Sequence, residues 1–226
     1  MTFGTLTAVR FGPTSPFSAK PRRLARTDFE KRNPSSRKMK TLTGVLFAGG
    51  ESRRMGVDKA TLIFDGEPLW SRQLRTLRNL QPEMIVISAR TRPIWCPPEI
   101  ETVQDQHPSR GPLSGLVAEL DKLRTTHLLG LAVDLPGITV EFLKKLWSQA
   151  QPGVGVIPKN GNYFEPLCAI YPAETIVVAA QMLAAGKFSL QSLLKTLLKQ
   201  NRMLVYPLNA VERRYCHNVN TPANLL

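Results

Sequence analysis

The sequence predicts one three-layer α/β/α domain with a mostly parallel central sheet and a β-hairpin inserted late. Three observations carry this expectation. From residue 41 onward, apolar strand-like runs alternate with stretches of helical period, the sequence mark of a wound α/β sheet. A glycine pair, Gly49 and Gly50, breaks the first apolar run, as a turn at the end of a strand requires. The 226 residues, 42% of them hydrophobic, suffice for one sizeable packed domain and not for two of comparable size.

The elements follow in order. A strand is expected over 44–48 and a helix over 69–80, where Trp70, Leu74 and Leu77 stand at i, i+4 and i+7 as one core-facing stripe. Strands over 84–88 and 101–103 precede a helix over 113–123, which Gly111 and Pro112 introduce. The run 128–133 reads as a buried strand, followed by a helix over 140–149. Next come strands over 155–158 and 166–170, with an Asn/Gly turn in KNGNYFEP (159–166) that reads as the hairpin. Helices over 173–184 and 190–199 and a strand over 203–206 complete the pattern, with no internal repeat.

Charge is unevenly spread. The chain carries +13, and residues 1–40 hold ten Lys/Arg against Asp28 and Glu30, a net of +8. That segment is rich in Ser, Thr and Pro and lacks any helical or strand period, so it reads as a basic, disordered extension. Two other readings stay open: an upstream extension of a chain starting at Met39, and a transit peptide. The apparent nucleic-acid signal of the high pI comes mostly from this tail, and nucleic acid is not the expected partner. No apolar run approaches a membrane span, so a membrane is not expected, and without an apolar h-region near the start neither is a secretory signal. Cys96, Cys168 and Cys216 are far apart and odd in number. They read as buried thiols of a protein in a reducing compartment, with no support for structural zinc.

The chemistry concentrates in LFAGGESRRMGVDKATL (46–62). Ala48, Gly49 and Gly50 follow an apolar strand, and then come Ser52, Arg54, Gly56, Asp58 and Lys59. Adjacent glycines let the backbone turn sharply and approach a ligand, and successive N–H groups can converge on an anion. Arg54 adds a forked donor and Lys59 a point charge, which suits a polyphosphate. A plain turn and a solvated pair of arginines are the alternative. The loop is neither G-x-x-x-x-G-K-[ST] nor G-x-G-x-x-G.

Asp134 lies directly after the 128–133 strand. In an open α/β sheet the ligand crevice is at the carboxyl ends of the strands, so Asp134 and the Gly49–Gly50 turn are expected on one side. A carboxylate there can hold Mg²⁺ beside a triphosphate; it can equally be a helix N-cap or a turn residue before Pro136. Asp105, in the segment VQDQHPSRGPLSGL (103–116), precedes the Gly111–Pro112 helix start, whose free N–H groups face the same crevice. His107 reads as an exposed loop residue.

Every position of L-x-A-G-G-x-S-x-R-M-G-x-D-K-x-x-L is matched here, and the chain thereby resembles the MobA-like nucleotidyltransferase superfamily. Within it, the chain is most similar to the molybdenum cofactor guanylyltransferases, through Asp105 with the G-P-L-x-G of Gly111–Gly115, the D-x-P of Asp134–Pro136, YFEPLCAIY (163–171), and the NVNTPANLL ending (218–226). The resemblance covers about residues 41–226 and implies a Rossmann-like fold and transfer of GMP from GTP to the molybdopterin cofactor, with release of pyrophosphate. It implies nucleotide binding by Ala48, Gly49, Gly50, Ser52, Arg54, Lys59, Asp105 and Asp134. Catalytic roles fall to Arg54, Lys59 and Asp134, and Mg²⁺ to Asp134 with Asp105. It further implies a cytoplasmic protein in transient contact with other cofactor-biosynthesis proteins. Where such enzymes commonly carry an asparagine pair near the base, this chain has Ser88, Ala89 and Arg90. Cytidylyl or other nucleotidyl transfer to a small phosphorylated acceptor stays open, as does a non-catalytic nucleotide-binding protein.

Overall fold

A computed structural model describes residues 39–49, 58–104 and 111–219. The extension 1–38, and with it most of the expected N-terminal segment, lies outside the described residues.

Strand β1 (Leu42–Phe47) is buried along its whole length because it is central, with β4 (Met84–Ala89) and β6 (His127–Ala132) on either side, both parallel to it. β5 (Glu101–Gln104) extends the sheet beyond β4. On the other side of β6 lie β9 (Cys168–Pro172), β7 (Gly155–Asn160) and β10 (Met203–Pro207), giving the order β10-β7-β9-β6-β1-β4-β5. β9 is antiparallel to both β6 and β7, and the remaining neighbours on this path are parallel. This is the mostly parallel α/β sheet the sequence predicts.

The expected hairpin is present as β7 paired with β8 (Tyr163–Phe164), with Lys159 opposite Phe164 and Gly161 at φ 58° in the turn. A second small ribbon, β2 (Ile63–Phe64) with β3 (Glu67–Pro68), was not anticipated. Two-residue strands carry too little period to be read from sequence. β9 begins two residues later than expected, because Pro166 has no N–H for a ladder. The chain bends there instead, with Cys168 N donating to Glu165 O.

Helix α1 (Leu69–Leu80) turns Leu69, Leu74 and Leu77 fully inward, while Trp70 lies at the margin of the same stripe. Helices α2 (Pro112–Lys122), α3 (Val140–Gln149), α4 (Thr175–Ala184) and α5 (Leu190–Lys199) follow within two residues of their expected bounds. One apolar cluster joins α1 and α3 to one face of the sheet, and a second joins α2, α4 and α5 to the other. Each large apolar side chain so enclosed contributes about 1.5–3 kcal/mol relative to exposure. Cys96, Cys168 and Cys216 are all buried free thiols, as expected. Among the described residues, no helix is long and apolar enough to cross a membrane.

Candidate active site

The parallel β4-β1-β6 core brings three strand ends together, and backbone hydrogen bonds hold them there. The N–H groups of Ala48 and Gly49 both donate to Ser88 O, at 3.0 and 3.2 Å, joining the exit of β1 to the end of β4. Val133 N donates to Phe47 O at 3.1 Å and ties the exit of β6 to β1. A Cβ placed on Gly49 would lie 3.5 Å from Ala89 Cα, an ordinary contact, so packing within the described residues does not require glycine there. Gly50, Ser52 and Arg54 lie outside the described residues.

The chain is described again from Asp58, whose carboxylate Oδ1 accepts Ala60 N–H at 3.0 Å and starts a single 3₁₀ turn over Lys59–Thr61. Lys59 Nζ reaches within 3.5 Å of Asp134 Oδ2 across 75 residues of sequence. Asp134 follows β6 in a turn, and its carbonyl accepts Val219 N–H at 2.9 Å. The cap of α3 is Thr139, whose hydroxyl accepts Phe142 N–H, so Asp134 does not cap that helix, while its place in the turn before Pro136 agrees with the turn-residue alternative. The Lys59 and Asp134 side chains are 28% and 19% exposed. A partly exposed ion pair at this distance contributes no more than about 1 kcal/mol.

The third wall is α2, which follows β5 and therefore presents its N-terminus at the carboxyl ends of the strands. Gly111, at φ 72°, precedes Pro112 at the first turn, where a missing N–H costs nothing. Ser114 Oγ donates to Gly111 O at 2.8 Å. At Gly115 an added Cβ would lie 3.3 Å from Ser88 Oγ and 3.4 Å from the Phe47 ring, so here glycine serves the close approach of α2 to the sheet. One helical turn further on, Glu119 is buried, hydrogen-bonded to the Ser88 side chain, with Oε1 unpartnered. Burial pushes its carboxyl up to about 8, against the opposing pull of Ser88 and Lys122. Asp105 and His107 lie outside the described residues.

Beside the Asp134 turn opens a cavity of about 580 Å³, lined by Phe64, Pro136, Arg214, His217, Asn218 and Val219 among others. Asn218 belongs to the expected NVNTP ending; Asn220 lies outside the described residues. Arg214 and His217 escaped the sequence reading, although the Arg213–Arg214 pair just before that ending was a visible signal. In sequence Ser88 stands out only as a departure from the relatives' asparagine pair, and Glu119 is one more position in the helical period. In YFEPLCAIY, Tyr171 proves to be core: it is fully buried and its hydroxyl donates to Pro166 O at 2.7 Å.

An open α/β sheet that gathers the Ala48–Gly49 turn, a lysine and a carboxylate at its strand ends fits the nucleotidyltransferase class. Residues 44–202 match the MobA-like NTP transferase domain, and the chain belongs to that family. It is 37% identical to a probable molybdenum cofactor guanylyltransferase of Opitutus terrae, over 80% of this chain and 91% of that one. It is 33% identical to the molybdenum cofactor guanylyltransferase of Xanthomonas euvesicatoria, over 80% and 90%. The crystal structure of molybdopterin-guanine dinucleotide biosynthesis protein A from Archaeoglobus fulgidus shares the fold, with TM-score 0.62 and 22% identity over 81% of this chain and 94% of that chain.

Proposed function

We propose that this protein transfers GMP from GTP to the terminal phosphate of the molybdopterin cofactor and releases pyrophosphate. The observation that carries the reading is the Lys59–Asp134 pair, 3.5 Å apart at the joined ends of β1 and β6 and beside a cavity large enough for a second substrate. Family membership supports the reaction class, and the relatives named guanylyltransferases support the nucleotide and the acceptor.

The Ala48–Gly49 turn is the described backbone that would receive the triphosphate; Gly50, Ser52 and Arg54, which the sequence motif also assigns to the nucleotide, lie outside the described residues. Lys59 leaves Asp134 and neutralises phosphate charge. Asp134 is the described residue that would hold Mg²⁺, with Asp105 the second candidate. A partly exposed carboxylate at a strand end fits that ion, which takes one or two carboxylates and keeps waters and substrate phosphates as its other ligands. Among the described residues no cluster of three or more metal-ligating side chains exists, so a cage for a softer metal is not built there. Bound Mg²⁺ supplies charge neutralisation at the phosphates. Arg214 offers positive charge to the acceptor in the cavity, and His217 and Asn218 offer hydrogen-bonding groups. The acceptor phosphate is already an anionic nucleophile, so no strong general base is needed; alignment and charge stabilisation at the α-phosphate carry the step. The proposed compartment is the cytoplasm.

Pyrophosphate release measured with each of the four nucleoside triphosphates and molybdopterin cofactor tests the reading. GTP is expected to be fastest. A CTP rate equal to or above the GTP rate overturns guanylyl transfer, and no release with any nucleotide overturns the transferase.

A further inference from the structure

Lysine is a flexible residue with which to neutralise a triphosphate, so the backbone that carries Lys59 must be held from outside its short turn. That anchor lies in the connection between β4 and β5. Trp95 Nε1–H donates to Asp58 Oδ2 at 2.9 Å, while the other oxygen of the same carboxylate caps Ala60 N–H at 3.0 Å. One carboxylate thus ties the 3₁₀ turn to the indole on one side and to itself on the other. Thr61 adds two bonds to Asp58 O, from its N–H at 3.0 Å and its hydroxyl at 2.8 Å.

Trp95 is itself held. Its ring stacks on Trp70 of α1, with centroids 5.3 Å apart and planes 13° from parallel. The connection that presents it is braced by Arg92, which donates to Ile100 O at 3.0 Å and to Pro97 O at 2.7 Å. Next to Trp95, Cys96 is buried and its N–H donates to Pro93 O at 3.0 Å. A proline-rich surface connection is therefore made stiff at the point where an indole N–H meets Asp58.

We propose that Trp95 and Asp58 are positioning residues for nucleotidyl transfer, an indole-to-carboxylate clamp that sets the backbone of Lys59 so that its ammonium meets the triphosphate. This rests on the assignment of Lys59 to the nucleotide made above. Neither residue touches substrate; both act through Lys59.

Trp95→Phe keeps the aromatic stack and deletes the donor. Asp58→Asn keeps an oxygen for Ala60 N–H and turns an NH₂ towards the indole N–H, donor against donor. Each is expected to weaken GTP binding, measured by titration calorimetry, by about 3–10-fold, the worth of one hydrogen bond. The KM for the molybdopterin acceptor should not move. In a Lys59→Ala background the same changes should add less than about 1.5-fold, because residues acting through one another are not additive. Equal losses in both backgrounds, or none in the wild-type background, overturn the clamp. If Lys59→Ala alone leaves GTP affinity unchanged, the nucleotide assignment of Lys59 fails instead. Thermal unfolding of each variant separates a lost clamp from a lost fold: an unchanged midpoint with weakened GTP binding is expected, and weakened binding only where the midpoint collapses overturns the proposal.

Discussion

Lys59 and Asp134 face each other at 3.5 Å although 75 residues separate them, one on a single turn after the glycine-rich loop and the other at the exit of β6. Their pairing depends on β1 and β6 running parallel in register, Phe47 opposite Ala132, so that both chains leave the sheet at the same edge. Each residue balances the charge of the other across the gap between the two strand exits.

Asp134→Ala is expected to reduce GTP-dependent pyrophosphate release by at least ~10²-fold, the cost of removing one group that stabilises transition-state charge. The fold should persist, because the side chain is partly exposed and the hydrogen bond to Val219 uses the backbone carbonyl. Circular dichroism and turnover measured together check this; wild-type turnover moves the site elsewhere.

Gly49→Ala separates ligand approach from packing. The added methyl meets Ala89 at an ordinary contact distance, so thermal unfolding should change by no more than ~2 °C. GTP affinity should fall by about 10-fold or more if the backbone there approaches phosphate closely. Unchanged affinity would show that the triphosphate does not use this turn.

Glu119 makes stability depend on pH. Its folded-state pKa is raised from 4.5 to about 8, so folding favours the protonated form. That contribution is complete below about 4.5, declines as pH rises, and is gone once pH has passed about 8. At pH 7 the loss is on the order of 3 kcal/mol relative to pH 4. Glu119→Gln, neutral at every pH and similar in shape, should be more stable than wild type at pH 8 and show no such slope between pH 5 and 8. Parallel urea unfolding of the two proteins over that range checks it, and identical slopes would refute it.

A chain beginning at Met39 should fold and turn over like the full chain, because it retains Lys40. The Lys40 ammonium donates to Trp147 O and Ala150 O, both at 2.8 Å, at the C-terminus of α3, and lies 4.4 Å from the Trp147 ring centroid. Adding Lys40→Ala to the shortened chain should cost about 1–2 kcal/mol in denaturant unfolding. Failure of the Met39 chain to fold would show that residues 1–38 are part of the folded unit.

The sequence by itself determined the alternation of strands and helices, because periods of 2 and 3.6 and the turn chemistry of Gly, Pro and Asn are local properties. Helices α1, α3 and α5 could be read to the residue. Ala48, Gly49, Lys59 and Asp134 could be named as candidate site residues, since a glycine turn after a strand, a lysine and a carboxylate at a strand end have recognisable types and order. Which strand lies beside which was not legible. The antiparallel insertion of β9 between β6 and β7 depends on pairing between distant segments, and no local period encodes it. The same holds for the 3.5 Å approach of Lys59 to Asp134 and for the indole of Trp95 on Asp58. It holds too for Glu119, which in sequence is one more polar position on an amphipathic helix. Only burial in the assembled fold changes its charge, against the opposing pull of the Ser88 hydrogen bond, because desolvation is a property of the assembled neighbourhood and not of the residue.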